Sequence, residues 1–220
     1  MEAAKAALEA VLPEVSRRVG IKLRVQSAKR NPPDLLAETP TYLLKVAYAF
    51  PGERAFTRWD LLRRDLSAVI EIEIAINEVI SAANYPFLTP TMAALRTSQL
   101  EDIVAEKLRA LLQQVTRNRN RPQDVFDLAV LLHRGVALDL AKVASFLTAK
   151  ARARNITPSK LAFHDARIWK RAAAGYSDLR QTVRGDFIEF EPAKRALLDL
   201  VDNLDLPDSG PPLPERGASA

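Results

Sequence analysis

Three groups of residues in this 220-residue chain have the types and spacing to do chemistry. The first is Lys107. If the segment around it is helical, at about 100° per residue, its side chain points only about 20° from Leu100 and lies inside the arc of Ile103, Leu100 and Leu111. An ammonium that starts from an apolar stripe must snorkel to water, find a carboxylate, or line a cleft where a ligand supplies the negative charge. The second group is Asp124 and Asp127 with the preceding loop, Arg117-Asn118-Arg119-Asn120-Arg121. Acids in a first helical turn complement the positive end of the helix dipole, which accounts for Asp127 better than for Asp124, on the edge of the apolar face. Guanidinium groups suit bidentate contacts to phosphate, so Lys107, the arginine loop and Asp124 could together face a nucleotide or a nucleic-acid backbone. The third group is Glu71 and Glu73, two residues apart on a strand and therefore on one face. They could bind a hard cation such as magnesium, or mark only the solvated face of a half-buried strand.

These residues need elements to position them. Glu2 to Arg18 reads as an amphipathic helix, with Ala4, Leu8, Val11, Leu12 and Val15 at helical spacing and Gly20 closing it. Three strand-like runs follow, Ile21 to Ser27, Tyr42 to Phe50 and Ser67 to Ile76, with Asn31-Pro32-Pro33 and Pro51-Gly52 marking turns. From Pro90 the texture becomes helical. Ser98-x-x-Glu101 forms a capping box ahead of the Lys107 helix, and Pro122 opens the Asp124 helix, which runs to Gly135. Asp139 caps a third helix, Thr157-Pro158 opens a fourth that ends before Gly175, and Glu191-Pro192 opens a fifth running to about Leu204. The expected fold class is α+β, with a small α/β layer over residues 1–90, a helical domain over 91–206, and a Pro/Gly/Ser-rich disordered tail over 207–220.

Composition removes several alternatives. The chain has no Cys, which excludes disulfides, thiolate nucleophiles and zinc fingers. Its two histidines, His133 and His164, lack companions and read as structural, as Trp59 and Trp169 read as packing residues. The seven glycines never cluster, so neither G-x-G-x-x-G nor G-x-x-x-x-G-K-[ST] is present. The net charge is +5, unevenly spread: Lys142 to Arg184 carries ten Lys/Arg against Asp165 and Asp178, while Gly185 to Asp208 carries seven acids against Lys194 and Arg195. The basic block is either a footprint for a polyanion or a solvated helical surface, and the Asp199, Asp202, Asp205, Asp208 series reads as a solvated face. No run approaches a membrane span and no secretory leader is evident, so a cytoplasmic location is expected.

The stretch Leu100 to Leu132, with Ala105-Glu106-Lys107, a basic loop, and Arg121-Pro122-Gln123-Asp124-Val125-Phe126-Asp127-Leu128, resembles the second half of the AbiEii/AbiGii-type nucleotidyltransferase toxins. That family is tied to abortive phage infection and toxin–antitoxin operons. Upstream, IEIEIAINE resembles the family strand that supplies a metal carboxylate, matched here by Glu73, with Glu78 as the following acid. The resemblance implies a nucleotidyltransferase-like α/β domain joined to a helical domain, with a nucleoside triphosphate bound between them. It implies nucleotidyl transfer to an RNA acceptor such as a tRNA 3′ end, two magnesium ions on acidic residues, and a possible cognate antitoxin. On this basis Lys107 contacts the triphosphate, Asp124 organises the site with Asp127 as the second acid of the motif, Arg117, Arg119 and Arg121 bind substrate, and Glu73 binds metal. The family's Gly-Gly or Gly-Ser turn and its D-x-D pair have no counterpart here, which implies a chain catalytically incomplete by itself. A non-catalytic RNA-binding or partner-binding helical module is the alternative.

Overall fold

Ala-rich spacing makes helix α1, Glu2–Val19, which ends where Gly20 takes a left-handed φ of 71° and returns its N–H to the Ser16 carbonyl. The computed structural model describes residues 2–31, 33, 41–53, 68–75, 83–84, 87–88, 93–94 and 97–213. The strand-like runs form β1 (Lys22–Asn31), β2 (Thr41–Ala49) and β3 (Val69–Ala75), an antiparallel sheet in that order. Leu8 and Leu12 of α1 meet Leu23, Val25, Val46 and Ile72 in a small apolar cluster. Alternation therefore decides which face the helix covers. β1 outruns its expected end because the register skips Gln26 between Val25 and Ser27, a bulge that lets pairing continue to Asn31 opposite Thr41.

The chain divides into two compact units, Met1–Glu78 and Val79–Ala220, a division that falls earlier than Pro90. The second unit opens with two short ladders, β4 (Ala83–Asn84) with β7 (Thr97–Ser98), and β5 (Phe87–Leu88) with β6 (Ala93–Ala94). The helices are α2 (Leu100–Arg117), α3 (Pro122–His133), α4 (Leu140–Arg152), α5 (Lys160–Phe163), α6 (Ala166–Ala173) and α7 (Phe190–Asp202), with a 3₁₀ turn at Ser177–Gln181. Their core gathers Leu108, Leu111 and Leu112 of α2, Val125 and Leu128 of α3, Leu147 of α4, Ile168 of α6 and Leu197 of α7. α2 packs on α4, and α3 on α7. The fold is α+β, a helix with a three-stranded sheet followed by a helical region.

Several local expectations are corrected. α2 begins at Leu100, so Gln99 is the N-cap and makes no side-chain cap bond, while Ser98 lies one residue before it, paired with Ala83 in a ladder. The helix expected from Thr157-Pro158 is two helices, because Ser159 caps α5 through the Ala162 N–H and Asp165 caps α6 through the Arg167 N–H. Glu189, which makes no side-chain capping bond, is the N-cap of α7. The tail expected to be disordered from Pro207 is packed as far as Leu213. The Pro207 and Asp208 carbonyls accept from the N–H groups of Lys160 and Leu161, and Leu213 is buried. Of the acidic series, Asp202 meets His164 at 3.1 Å and Asp208 meets Lys160 at 3.7 Å. Glu78 and Trp59 lie outside the described residues.

Candidate active site

α2 and α3 are joined by a tight reversal. Asn118 adopts the left-handed region at φ 50°, and its N–H and that of Arg119 both reach the Gln114 carbonyl. Asparagine tolerates this conformation better than most residues. Pro122, with its fixed φ and no N–H to satisfy, then starts α3. Phe126 of α3 is buried against Tyr176 and stacks on Phe187 at 5.4 Å, which fixes the rotation of the helix. The Tyr176 hydroxyl donates to the Ile188 carbonyl at 3.0 Å, and burial first, then the charge of Glu189, pushes its pKa up to about 12.

The reversal brings the first two turns of α3 over Lys107. Its Nζ donates to Asp124 Oδ1 and to Asp127 Oδ2, each at 2.8 Å. Of the three outcomes open to an ammonium on an apolar stripe, the fold realises the carboxylate. Asp127 is therefore more than a dipole partner. The side chains of Lys107 and Asp124 are 22% and 14% exposed, and that of Asp127 is 39% exposed. Partial burial alone would depress the ammonium; hydrogen bonds to Asp124 and Asp127 and their negative charges outweigh it and hold the Lys107 pKa above the usual lysine range. An ammonium has three donors, so two bonds to carboxylates leave one for a ligand oxygen. Arg121 Nη1 stands 3.8 Å from Asp124 Oδ2, so one loop arginine joins this constellation, while Arg117 and Arg119 are exposed at the end of α2.

Glu73 belongs to the other unit. It is exposed on β3 opposite Leu43, on the same strand face as Glu71, which is ion-paired to Lys45 at 2.6 Å. Among the described residues no three His, Cys, Asp or Glu side chains are grouped to hold a metal. Asp124 and Asp127 are each engaged by Lys107, so the constellation on α2 and α3 is a cation-filled carboxylate pair and does not fit a magnesium centre.

A buried ionic network supports the helix that carries Lys107, and none of it is evident as a site from the sequence. Lys150 of α4 meets Asp102 at 3.1 Å and Glu106 at 3.8 Å, with Asp102 and Lys150 both buried. Arg109 donates to Glu106 and Gln113, and Gln114 Nε2 donates to the Ile168 carbonyl at 2.9 Å. The available signal was the spacing of Asp102, Glu106 and Arg109, which share one helical face. Five of the ten Lys/Arg in the basic block are ion-paired in place. Lys142, Lys150, Lys160, Arg167 and Arg180 pair with Asp139, Asp102, Asp208, Asp165 and Glu189 respectively.

Lys107 is held between the two acids of an R-x-x-D-x-x-D helix behind an arginine loop, and these are the motif residues that carry the resemblance noted above. The family model described as "Nucleotidyl transferase AbiEii toxin, Type IV TA system" matches residues 2–200. The chain belongs to this family. A search of the curated proteins finds no match. AbiEii membership brings a nucleotide substrate and a toxin–antitoxin context, and a chemistry that typically uses a divalent metal. Among the described residues no helix is long and apolar enough to cross a membrane.

Proposed function

We propose that this AbiEii-family chain carries the nucleotide- and RNA-binding side of a nucleotidyl-transfer site. Lys107 and the loop arginines Arg117, Arg119 and Arg121 bind the triphosphate of a nucleoside triphosphate, and Asp124 and Asp127 position the ammonium. The acceptor is an RNA 3′ end such as that of tRNA. In the reaction the acceptor hydroxyl loses its proton and bonds to the α-phosphorus, while the bond to the departing pyrophosphate breaks. Glu73 is the acid that we assign by motif order to a magnesium ion. A cognate antitoxin is the expected protein partner. The observation that carries the reading is the pair of 2.8 Å contacts that fix Lys107 between the two acids of the motif.

The sequence contains no D-x-D pair, which supports the further reading that these residues do not complete transfer by themselves. Incubation with magnesium, labelled nucleoside triphosphates and total tRNA tests this directly. Triphosphate binding without appreciable label transfer is expected, and Lys107→Ala should lose that binding. Robust transfer would overturn catalytic incompleteness. Triphosphate affinity that is absent, or unchanged in Lys107→Ala and Asp124→Ala, would favour a helical RNA-binding module instead.

A further inference from the structure

α4 carries a second lysine on an apolar stripe. Val143, Leu147 and Lys150 share one face of the helix and all three are buried, so the Lys150 ammonium is delivered into the seam between α4 and α2. There it meets two acids one turn apart on α2, Asp102 at 3.1 Å and Glu106 at 3.8 Å. Glu106 also accepts from Arg109, which donates in addition to Gln113. Two acids and two cations thus balance within the cluster. Glu106 directly precedes Lys107 in the chain, yet it is engaged in the seam, about 100° around the helix from the Lys107 side chain.

Asp102, Glu106, Arg109 and Gln113 lie within about 60° of one another on α2, and Lys107 lies about 130° from the middle of that arc. Most of the remaining buried surface of α2 is aliphatic, Val104, Leu108, Leu111 and Leu112 among it. Aliphatic contacts are non-directional and tolerate small rotations, whereas a buried ammonium between two carboxylates does not. The difference matters because helix side chains end about 5–6 Å from the axis, so a rotation of about 20° moves a side-chain tip by about 2 Å. Such a displacement is enough to break both 2.8 Å bonds from Lys107 to Asp124 and Asp127. Buried ionic groups are a weak source of net stability, and fixing register is their best-attested use.

We propose that Lys150, which lies outside the family motif, is a positioning residue: through Asp102 and Glu106 it sets the rotation of α2 that holds Lys107 against Asp124 and Asp127. The proposal rests on the triphosphate reading only for its affinity measurement; the placement of the Lys107 ammonium can be followed without a nucleotide.

The test uses the full chain. Asp102→Ala with Lys150→Met removes the link without stranding an ammonium, because Arg109 still compensates Glu106, and it leaves the net charge unchanged. A change at Lys107 in this variant therefore reports geometry rather than altered field. Carbon NMR of Lys107 Cε against pH reads the ammonium, calorimetry with inorganic tripolyphosphate reads its availability to a ligand, and the urea transition confirms the fold. The Lys107 titration should fall from its raised position toward the ordinary lysine value, about 10.4, and tripolyphosphate affinity should weaken roughly fivefold or more. Lys150→Arg, which keeps a cation in the seam, should retain most of both. If the double variant does not fold, Asp102→Asn with Lys150→Gln, equally charge-neutral and closer in shape, takes its place with the same expected direction. An unchanged Lys107 titration in the folded variant overturns the proposal, even where tripolyphosphate affinity falls. A native chain that binds no tripolyphosphate counts against the triphosphate reading alone, and the titration still decides whether Lys150 positions Lys107.

Discussion

Lys107 illustrates what one residue's position can and cannot reveal. Its angle on α2 made it anomalous, but whether it reaches water or an acid depends on how tightly residues 118–121 turn. That depends on Asn118 entering the left-handed region, which composition does not dictate. Asp127 was harder to read, since an acid close to a helix start can be credited to the helix dipole with or without a partner, although the fold places it in the second turn. The ion pairs give a signed prediction. Because the folded-state pKa of Lys107 is raised, its stabilising contribution is complete below the ordinary lysine value, about 10.4, and is lost as pH rises through the higher folded value. Urea unfolding of the native chain and Lys107→Met should therefore show a stability gap that is flat from about pH 6 to 9 and narrows only in stronger alkali. A gap that closes between those two pH values would refute this assignment.

At the scale of elements, periodicity revealed α1, the three strands and the starts of α3 and α4, because each buries one regular face. End signals were less dependable. Ser98 had the right spacing for a capping box, yet α2 starts one residue later behind Gln99, whereas Asp165, inside an expected continuous helix, caps α6. Asp165→Ala should cost about 1 kcal/mol in chemical denaturation, and Ser98→Ala should stay within about 0.5 kcal/mol. Comparable losses for both would restore the capping box. The network between α2 and α4 was illegible for a different reason: Lys150 becomes meaningful only once the fold brings it to Asp102. Asp102→Ala leaves that ammonium with less compensation, and a loss of about 3–5 kcal/mol is expected. A loss under about 1 kcal/mol would show that Glu106 alone suffices.

For the whole molecule, the sequence conveyed the α+β class and the family, while the extent of the helical unit was underestimated at its C-terminal side. Pro, Gly and Ser content suggests disorder, but it does not show where backbone carbonyls go. Leu213 is 5% exposed, so Leu213→Ala should destabilise the protein by about 2 kcal/mol or more, read from the urea midpoint. A midpoint indistinguishable from that of the native chain would restore the disordered tail. The carbonyls of Pro207 and Asp208 satisfy the first amides of a four-residue helix that the ribosome has long since released. During synthesis Lys160 and Leu161 have no such acceptors until residues 207 and 208 emerge. Vectorial folding of this unit is thus expected to finish by clasping backwards, with those two amides the last to gain protection from solvent exchange.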